Sequence, residues 1–248
     1  MNGLVVGAGE MGRWLVDVLG DAGFEVGVGD ADPDVASALA DAVAGVRAVP
    51  LEGADRPTEG EFDLVCVAVP IPAAEGAIAD AAPLADLALL DVTGTMTDPV
   101  AAMREHAPGR ERVSLHPLFA ADAEPGNVAV VADAAGPVTD AVRETLAERD
   151  NHLFETTPAE HDRAMETVQA RVHAAVLAYG LAAEEVPEEF HTPVSAGLTE
   201  LVERVTGGDG RVYADIQAAF GGADDVADAA RRVAEADRET FRQLYEDL

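Results

Sequence analysis

Two groups of residues in this chain carry spacing that could do chemistry. The first is Gly7-Ala8-Gly9-Glu10-Met11-Gly12, a G-x-G-x-x-G run that follows the apolar stretch Gly3–Gly7 and opens a helix-spaced segment, Met11–Leu19. In such a turn the first glycine permits the tight bend. The second lets a phosphate approach the backbone, and the third lets helix and strand pack closely. Free N–H groups and the helix dipole then favour a pyrophosphate. Asp30 ends the next apolar run, Phe24–Gly29, where a carboxylate can bond ribose hydroxyls and repel a 2′-phosphate. The pattern predicts a dinucleotide site that takes NAD, with the Glu10 side chain turned away from the phosphates. The second group centres on His116 in Ser114-Leu115-His116-Pro117-Leu118-Phe119. It lies just past a strand-like run, and open α/β sheets bind ligands at the carboxyl ends of their strands. An imidazole there is a candidate acid/base near neutral pH.

The other histidines are less informative. His173 lies four residues after Gln169, on the same helical face, and by pattern alone reads as a hydrogen-bonded core residue. Arg204 by pattern alone reads as a surface arginine. No histidine or acidic spacing suggests a metal, and no G-x-S-x-G or other nucleophile motif appears. Cys66, the single cysteine, sits in an apolar run and excludes an internal disulfide. The chain has no lysine, so dehydrogenases of the β-hydroxyacid type, which use a lysine acid/base, do not supply its mechanism.

The elements that must position these groups follow from periodicity. Asp63–Val69 and Leu87–Val92 are apolar on both faces, as in a parallel sheet, and Arg112–Leu115 and Val128–Ala132 are further strand candidates. Helices alternate with them: one after the Asp32-Pro33 cap, one from Asp98-Pro99 to about His106, and one over Val138–Arg149. The alternation predicts an α/β class, a Rossmann-type doubly wound, mainly parallel sheet. From about residue 156 the pattern turns helical. Thr157-Pro158-Ala159-Glu160 is a capping box that starts a long helix to about Glu185. The stretch Val186–Gly197 breaks it, and helices follow to the C-terminus. The expected domains are 1–155, which binds NAD, and 156–248, a small helical domain that packs on the first or across a homodimer.

Charge narrows the partners. Of 248 residues, 47 are acidic and 16 basic, giving −31. Such a surface repels nucleic acid and anionic membranes, which excludes both as partners. Adaptation to concentrated salt accounts for it, because molar salt screens carboxylate repulsion over roughly 3 Å. No signal peptide and no apolar run of membrane-spanning length are present, so a cytoplasmic protein is expected.

Along nearly its whole length the sequence resembles the prephenate/arogenate dehydrogenase family of tyrosine biosynthesis. The glycine motif and Asp30 match. Val67-Ala68-Val69-Pro70-Ile71 looks like the family's strand ending in V-P, and the His116 segment like its S-x-H-P-M-F. Glu160-His161-Asp162 resembles its E-H-D helix start, and His173 falls near its later substrate-side histidine. Arg204-Val205, with Tyr213-Ala214-Asp215-Ile216 nine residues on, looks like its R-I/V followed by W-A-D-I. The resemblance implies a small anionic substrate and NAD-dependent oxidative decarboxylation of prephenate. It implies His116 as base and Arg204 as carboxylate anchor, with His173, Thr95 and Tyr213 lining the substrate. Val69, Pro70 and Thr93 join Gly7, Gly9, Glu10, Met11, Gly12 and Asp30 at the cofactor. The family's D-x-x-S-x-K segment reads Asp91-Val92-Thr93-Gly94-Thr95-Met96 here, so its serine is Gly94 and its lysine Met96. Arogenate dehydrogenase, an imine or pyrroline reductase on the same scaffold, and a non-catalytic nucleotide sensor remain open.

Overall fold

The computed structural model describes all 248 residues. The chain forms two compact units, Met1–Asp162 and Arg163–Leu248.

The first unit is built on one eight-stranded sheet. Its strands are β1 (Asn2–Val6), β2 (Glu25–Gly29), β3 (Arg47–Ala48), β4 (Phe62–Val67), β5 (Ala85–Asp91), β6 (Glu111–Pro117), β7 (Asn127–Ala134) and β8 (His152–Glu155). They lie in the order β3-β2-β1-β4-β5-β6-β7-β8. All neighbours are parallel except β6 and β7. The order reverses at β1, between β2 and β4, which is the switch point where such sheets bind ligands. The mainly parallel sheet expected from periodicity is present, with β7 and β8 running opposite to the other six strands.

Residues along each strand alternate between two cores, as a period of two requires. Val5, Leu64, Cys66, Leu90 and Leu115 face one layer with Leu15, Leu19, Val142 and Leu146. Leu4, Val65, Val67 and Leu89 face the other with Ile78, Val100 and Met103. The first layer holds α1 (Glu10–Asp21), α2 (Pro33–Ala42) and α5 (Pro137–Glu148). The second holds α3 (Ala74–Ala81) and α4 (Thr97–His106). Both faces of β4 and β5 are covered, which is why their sequences are apolar without alternation.

The chain leaves this unit within α6 (Pro158–Met165). Glu166–Arg171 widens to a π-helical turn before α7 (Val172–Ala182), so the long helix ends three residues short of the expected Glu185. The second unit continues with α8 (Pro193–Thr206), α9 (Gly210–Ala219), α10 (Ala223–Glu235) and α11 (Arg238–Glu246). Arg171 ties α10 to the π turn, donating to Asp225 at 2.7 Å. No helix is long and apolar enough to cross a membrane.

Candidate active site

The carboxyl ends of β1, β2, β4, β5 and β6 carry the first-unit cofactor and catalytic candidates named above. The glycine turn joins β1 to α1. Gly7 has φ +105°, which side chains other than glycine's avoid, and a Cβ on it would strike the Ala68 carbonyl at 2.2 Å. A Cβ on Gly12 would fall 1.9 Å from the Gly7 carbonyl oxygen, so only glycine lets α1 start this close to the strand. Gly9 faces open space, with nothing within 4 Å of where its Cβ would be. That is the arrangement a pyrophosphate needs: a tight turn, close packing behind it, and an uncovered helix N-terminus in front.

Asp30 follows β2. Its Oδ2 accepts the Ala8 N–H at 2.7 Å and its Oδ1 accepts the Asp32 N–H at 2.9 Å. The carboxylate is therefore pinned beside the glycine turn, where a ribose diol would reach its remaining lone pairs. Glu10 is exposed at the first turn of α1, and Met11 is half-buried behind it. Val69 is half-buried and Pro70 exposed just past β4. These residues fit a dinucleotide.

Past β5, Asp91 is fully buried, and its Oδ2 accepts from both the amide and the hydroxyl of Thr93. Burial pushes its pKa up to about 6, against those hydrogen bonds. Thr93 and Thr95 are buried and flank Gly94. A Cβ on Gly94 would sit 3.2 Å from Ile71 Cδ1 and 3.9 Å from His116 Nε2. That nitrogen thus faces the ground a side chain at 94 would occupy.

His116, in β6, is 7% exposed. Its Nδ1 lies 2.8 Å from Nε2 of His161 in α6, and His161 Nδ1 lies 2.8 Å from Asp162 Oδ1. The Asp162 carboxylate also accepts the Met96 N–H at 2.9 Å and the Thr97 N–H at 3.0 Å, at the start of α4. Burial, and next the proximity of His161, depress the His116 pKa to about 3, while Asp162 works the other way. Asp162 is itself below the usual range: burial raises it, but hydrogen bonds from His161, Thr97 and Met96 outweigh that. His116 is consequently neutral near pH 7 and Asp162 ionised, which leaves His116 an uncharged base rather than a buried charge.

In the second unit, His173 and Tyr213 meet edge to face, with ring centroids 4.8 Å apart. His173 is half-buried, its Nδ1 has no partner, and burial lowers its pKa. Arg204 is exposed near the end of α8 and forms no ion pair, although acids outnumber bases almost three to one. Its guanidinium is free for a ligand.

Comparison with known proteins fits this arrangement. Residues 3–94 match the family model described as NADP oxidoreductase coenzyme F420-dependent. A 4-amino-4-deoxyprephenate dehydrogenase of Streptomyces pristinaespiralis is 32% identical, over 99% of this chain and 88% of that protein. The chain belongs to the prephenate/arogenate dehydrogenase family. A probable arogenate/prephenate dehydrogenase of Methanocaldococcus jannaschii is 25% identical over 86% of this chain, but the match spans only 50% of that protein. Among solved structures, prephenate dehydrogenase from Aquifex aeolicus, in complex with hydroxyphenyl propionate and NAD+, superposes with a TM-score of 0.71 at 17% identity. That match covers 99% of this chain and 95% of the other.

Two residues that the structure brings to His116 and the start of α4 carry little mark in the sequence. His161 and Asp162 served only as markers of the family's helix start, yet they are the groups that touch His116 and the α4 N-terminus. The signal was faint: a histidine next to an acid in a first helical turn is common on surfaces, and 45 residues separate it from its partner.

Proposed function

We propose that this protein is an NAD-dependent prephenate dehydrogenase, converting prephenate to 4-hydroxyphenylpyruvate and CO2. The observation that carries the reading is the neutral, buried His116, whose Nε2 faces the position a side chain at 94 would take, at the same carboxyl end of the parallel strands as the glycine cradle. NAD, when bound, supplies the hydride acceptor. Gly7, Gly9, Glu10, Met11, Gly12, Asp30, Val69, Pro70 and Thr93 form its cradle, and the Asp30 carboxylate selects NAD over NADP by repelling a 2′-phosphate. His116 takes the proton of the ring hydroxyl, so that the oxygen becomes a carbonyl as the carbon below it is oxidised. Such help is worth about 10²–10⁴-fold. Departure of CO2 then returns an electron pair to the ring, and the phenolate oxygen recovers its proton from His116. Arg204 anchors a substrate carboxylate; its permanent charge and planar fork suit that task. His173, Tyr213 and Thr95 are the further substrate-side residues that the family pattern implies. The protein works in the cytoplasm as a homodimer.

A second reading has its own support. The Streptomyces relative's name specifies an amino group where prephenate carries its hydroxyl. Gly94 removes the serine hydroxyl that the family pattern places beside the histidine, which leaves room for either group. Assaying prephenate, arogenate and 4-amino-4-deoxyprephenate with NAD and NADP in molar KCl tests both. The proposal expects the highest kcat/KM for prephenate with NAD. Preference for the amino compound would install the second reading, and preference for NADP would sink the role of Asp30. Light scattering in the same buffer checks the dimer.

A further inference from the structure

His161 and Asp162 lie outside the residues assigned above, yet together with His116 they form a continuous hydrogen-bonded line into the first unit. Each link has a fixed direction. An ionised Asp162 can only accept, so His161 Nδ1 carries a proton and donates it over 2.8 Å. In a neutral imidazole the other nitrogen is then an acceptor, so His161 Nε2 accepts from His116 Nδ1–H, also over 2.8 Å. By the same rule His116 Nε2 is left bare, and it is the atom that faces Gly94. The line is buried and anchored at its far end. His161 is 3% exposed, and the Asp162 carboxylate is held by two backbone N–H groups of α4. Three elements, β6, α6 and α4, thus set one nitrogen.

We infer that His161 and Asp162 are positioning residues that hold His116 in the tautomer with a bare Nε2 and take up part of its charge while it stores the substrate's proton. The inference rests on the dehydrogenase reading for its chemistry, but the tautomer itself does not. The hydroxyl proton passes to His116 Nε2 as the carbon that bears the oxygen is oxidised and the oxygen becomes a carbonyl. The His116 Nδ1 proton can then shift to His161 Nε2, which moves the positive charge one ring closer to the Asp162 carboxylate. When the C–CO2 bond breaks, its electron pair enters the ring. The resulting phenolate takes the proton back from Nε2, and the Nδ1 proton returns to His116. No proton is released overall, so the line must store a proton rather than drain it. An aspartate kept ionised by two backbone donors suits a store. It would be a poor sink.

The arrangement also answers the loss of the family serine. With glycine at 94, no side chain at that position can orient the His116 ring. His161 orients it from the other nitrogen.

Nitrogen-15 NMR of the histidines in the protein without ligand reads the tautomer directly. The wild type is expected to show His116 with a pyrrole-like Nδ1 and a pyridine-like Nε2. Asp162→Asn can donate its amide to His161 Nδ1, which reverses the line and puts a proton on His116 Nε2. Its kcat is expected to fall about 10²–10⁴-fold, with KM for prephenate nearly unchanged. His161→Gln can still accept from His116 and donate to Asp162. It should keep the wild-type tautomer and lose about 10-fold or less in kcat. Because Asp162 also caps α4, a cooperative melt is checked for each variant, and His161→Phe serves as a second disruption that leaves the cap intact. A protonated Nε2 in the wild type would overturn the inference. So would a fall in kcat for Asp162→Asn with the His116 tautomer unchanged, or wild-type kcat in His161→Phe. If prephenate is not a substrate at all, the NMR result still decides the tautomer, so the two readings fail separately.

Discussion

Gly12 and Gly7 are held so close that a Cβ on the first would lie 1.9 Å from the carbonyl oxygen of the second. The obstacle is backbone on both sides, so no side-chain rotation relieves it. Gly12→Ala must therefore pull α1 away from β1. Its melting temperature is expected to drop by several degrees. Its Kd for NAD should rise by about 10-fold or more. Gly9→Ala is the control. Its Cβ meets nothing within 4 Å and its φ of −71° suits alanine, so the fold should melt as wild type. NAD affinity should still fall, because the methyl occupies the space in front of the helix N-terminus. Calorimetric titration of both variants checks the pair, and equal NAD affinity in Gly9→Ala and wild type would remove the pyrophosphate from this turn.

Asp91 and His116 make opposite contributions to stability as pH changes. The Asp91 pKa is raised to about 6, so the folded state binds its proton more tightly than the unfolded chain does. That contribution favours folding at low pH and is lost as pH rises through about 6. The His116 pKa is lowered to about 3, so the folded state resists protonation, and stability is lost as pH falls from about 6.5 towards 3. The two partly cancel between about pH 4 and 6. Asp91→Asn keeps an acceptor for Thr93 and removes one side of the balance. It is expected to be more stable than wild type at about pH 8, by on the order of 2–3 kcal/mol, and equal to it below about pH 4. Urea midpoints at the two pH values decide it. A variant less stable than wild type at both would mean that the Asp91 charge is stabilised in place.

The parts of the fold that were legible are those where local pattern and tertiary role coincide. β1, α1 and β2 are written in the glycine turn and its flanking apolar runs, and β4 in a run apolar on both faces. His116 could be chosen because it ends a strand. β8 was missed because an edge strand with mostly exposed residues carries no period-two contrast. β3 is two residues long. The reversal of β7 leaves no local mark, since Val128–Ala132 would look the same in either direction. The π-helical turn at Glu166–Arg171 inserts one extra residue into a pattern read with a period of 3.6. The contact between His116 and His161 is purely tertiary, and only folding brings the two together.

Salt should stabilise the protein, and unevenly. A net charge of −31 on this chain is self-repulsive, and molar KCl shortens the screening length to about 3 Å. The urea midpoint is expected to rise between dilute and molar KCl. Exposed pairs such as Arg231–Asp228 lose their attraction in the same range. Asp133 is nearly buried and binds Arg112 at 2.8 Å and Arg104 at 2.6 Å, so it is screened much less. Asp133→Asn should therefore destabilise the protein by a similar amount at both salt concentrations. A midpoint that is flat or falling with KCl would remove salt adaptation as the reason for the acidic surface.

Arg204 is exposed and unpaired, so Arg204→Gln should change stability by less than about 0.5 kcal/mol. If it anchors a substrate carboxylate, KM for prephenate rises at least about 10-fold, the cost of losing a charge-assisted pair, while the Kd for NAD stays put. Equal losses for both ligands would place Arg204 at the cofactor instead. An unchanged KM would return it to the surface.

Gly94 is where this chain departs from the family pattern, and its surroundings state what restoring a serine would do. The glycine φ is not in the left-handed region, and its Cβ would meet only the tip of Ile71 at 3.2 Å, a side chain that can yield by a few tenths of an ångström. Gly94→Ser should therefore fold. Its Cβ would stand 3.9 Å from His116 Nε2, close enough for the hydroxyl to reach that nitrogen or a substrate oxygen beside it. A new hydrogen bond is worth about 0.5–1.5 kcal/mol, so kcat/KM for prephenate is expected to rise by roughly 3- to 10-fold. The crowding argues the other way for an amino group, which has an extra hydrogen to place next to the same nitrogen. The ratio of kcat/KM for prephenate over 4-amino-4-deoxyprephenate should thus increase in the variant, whichever compound the wild type prefers. A ratio that falls would show that position 94 does not face the reacting group, and with it would go the placement of the substrate over Gly94.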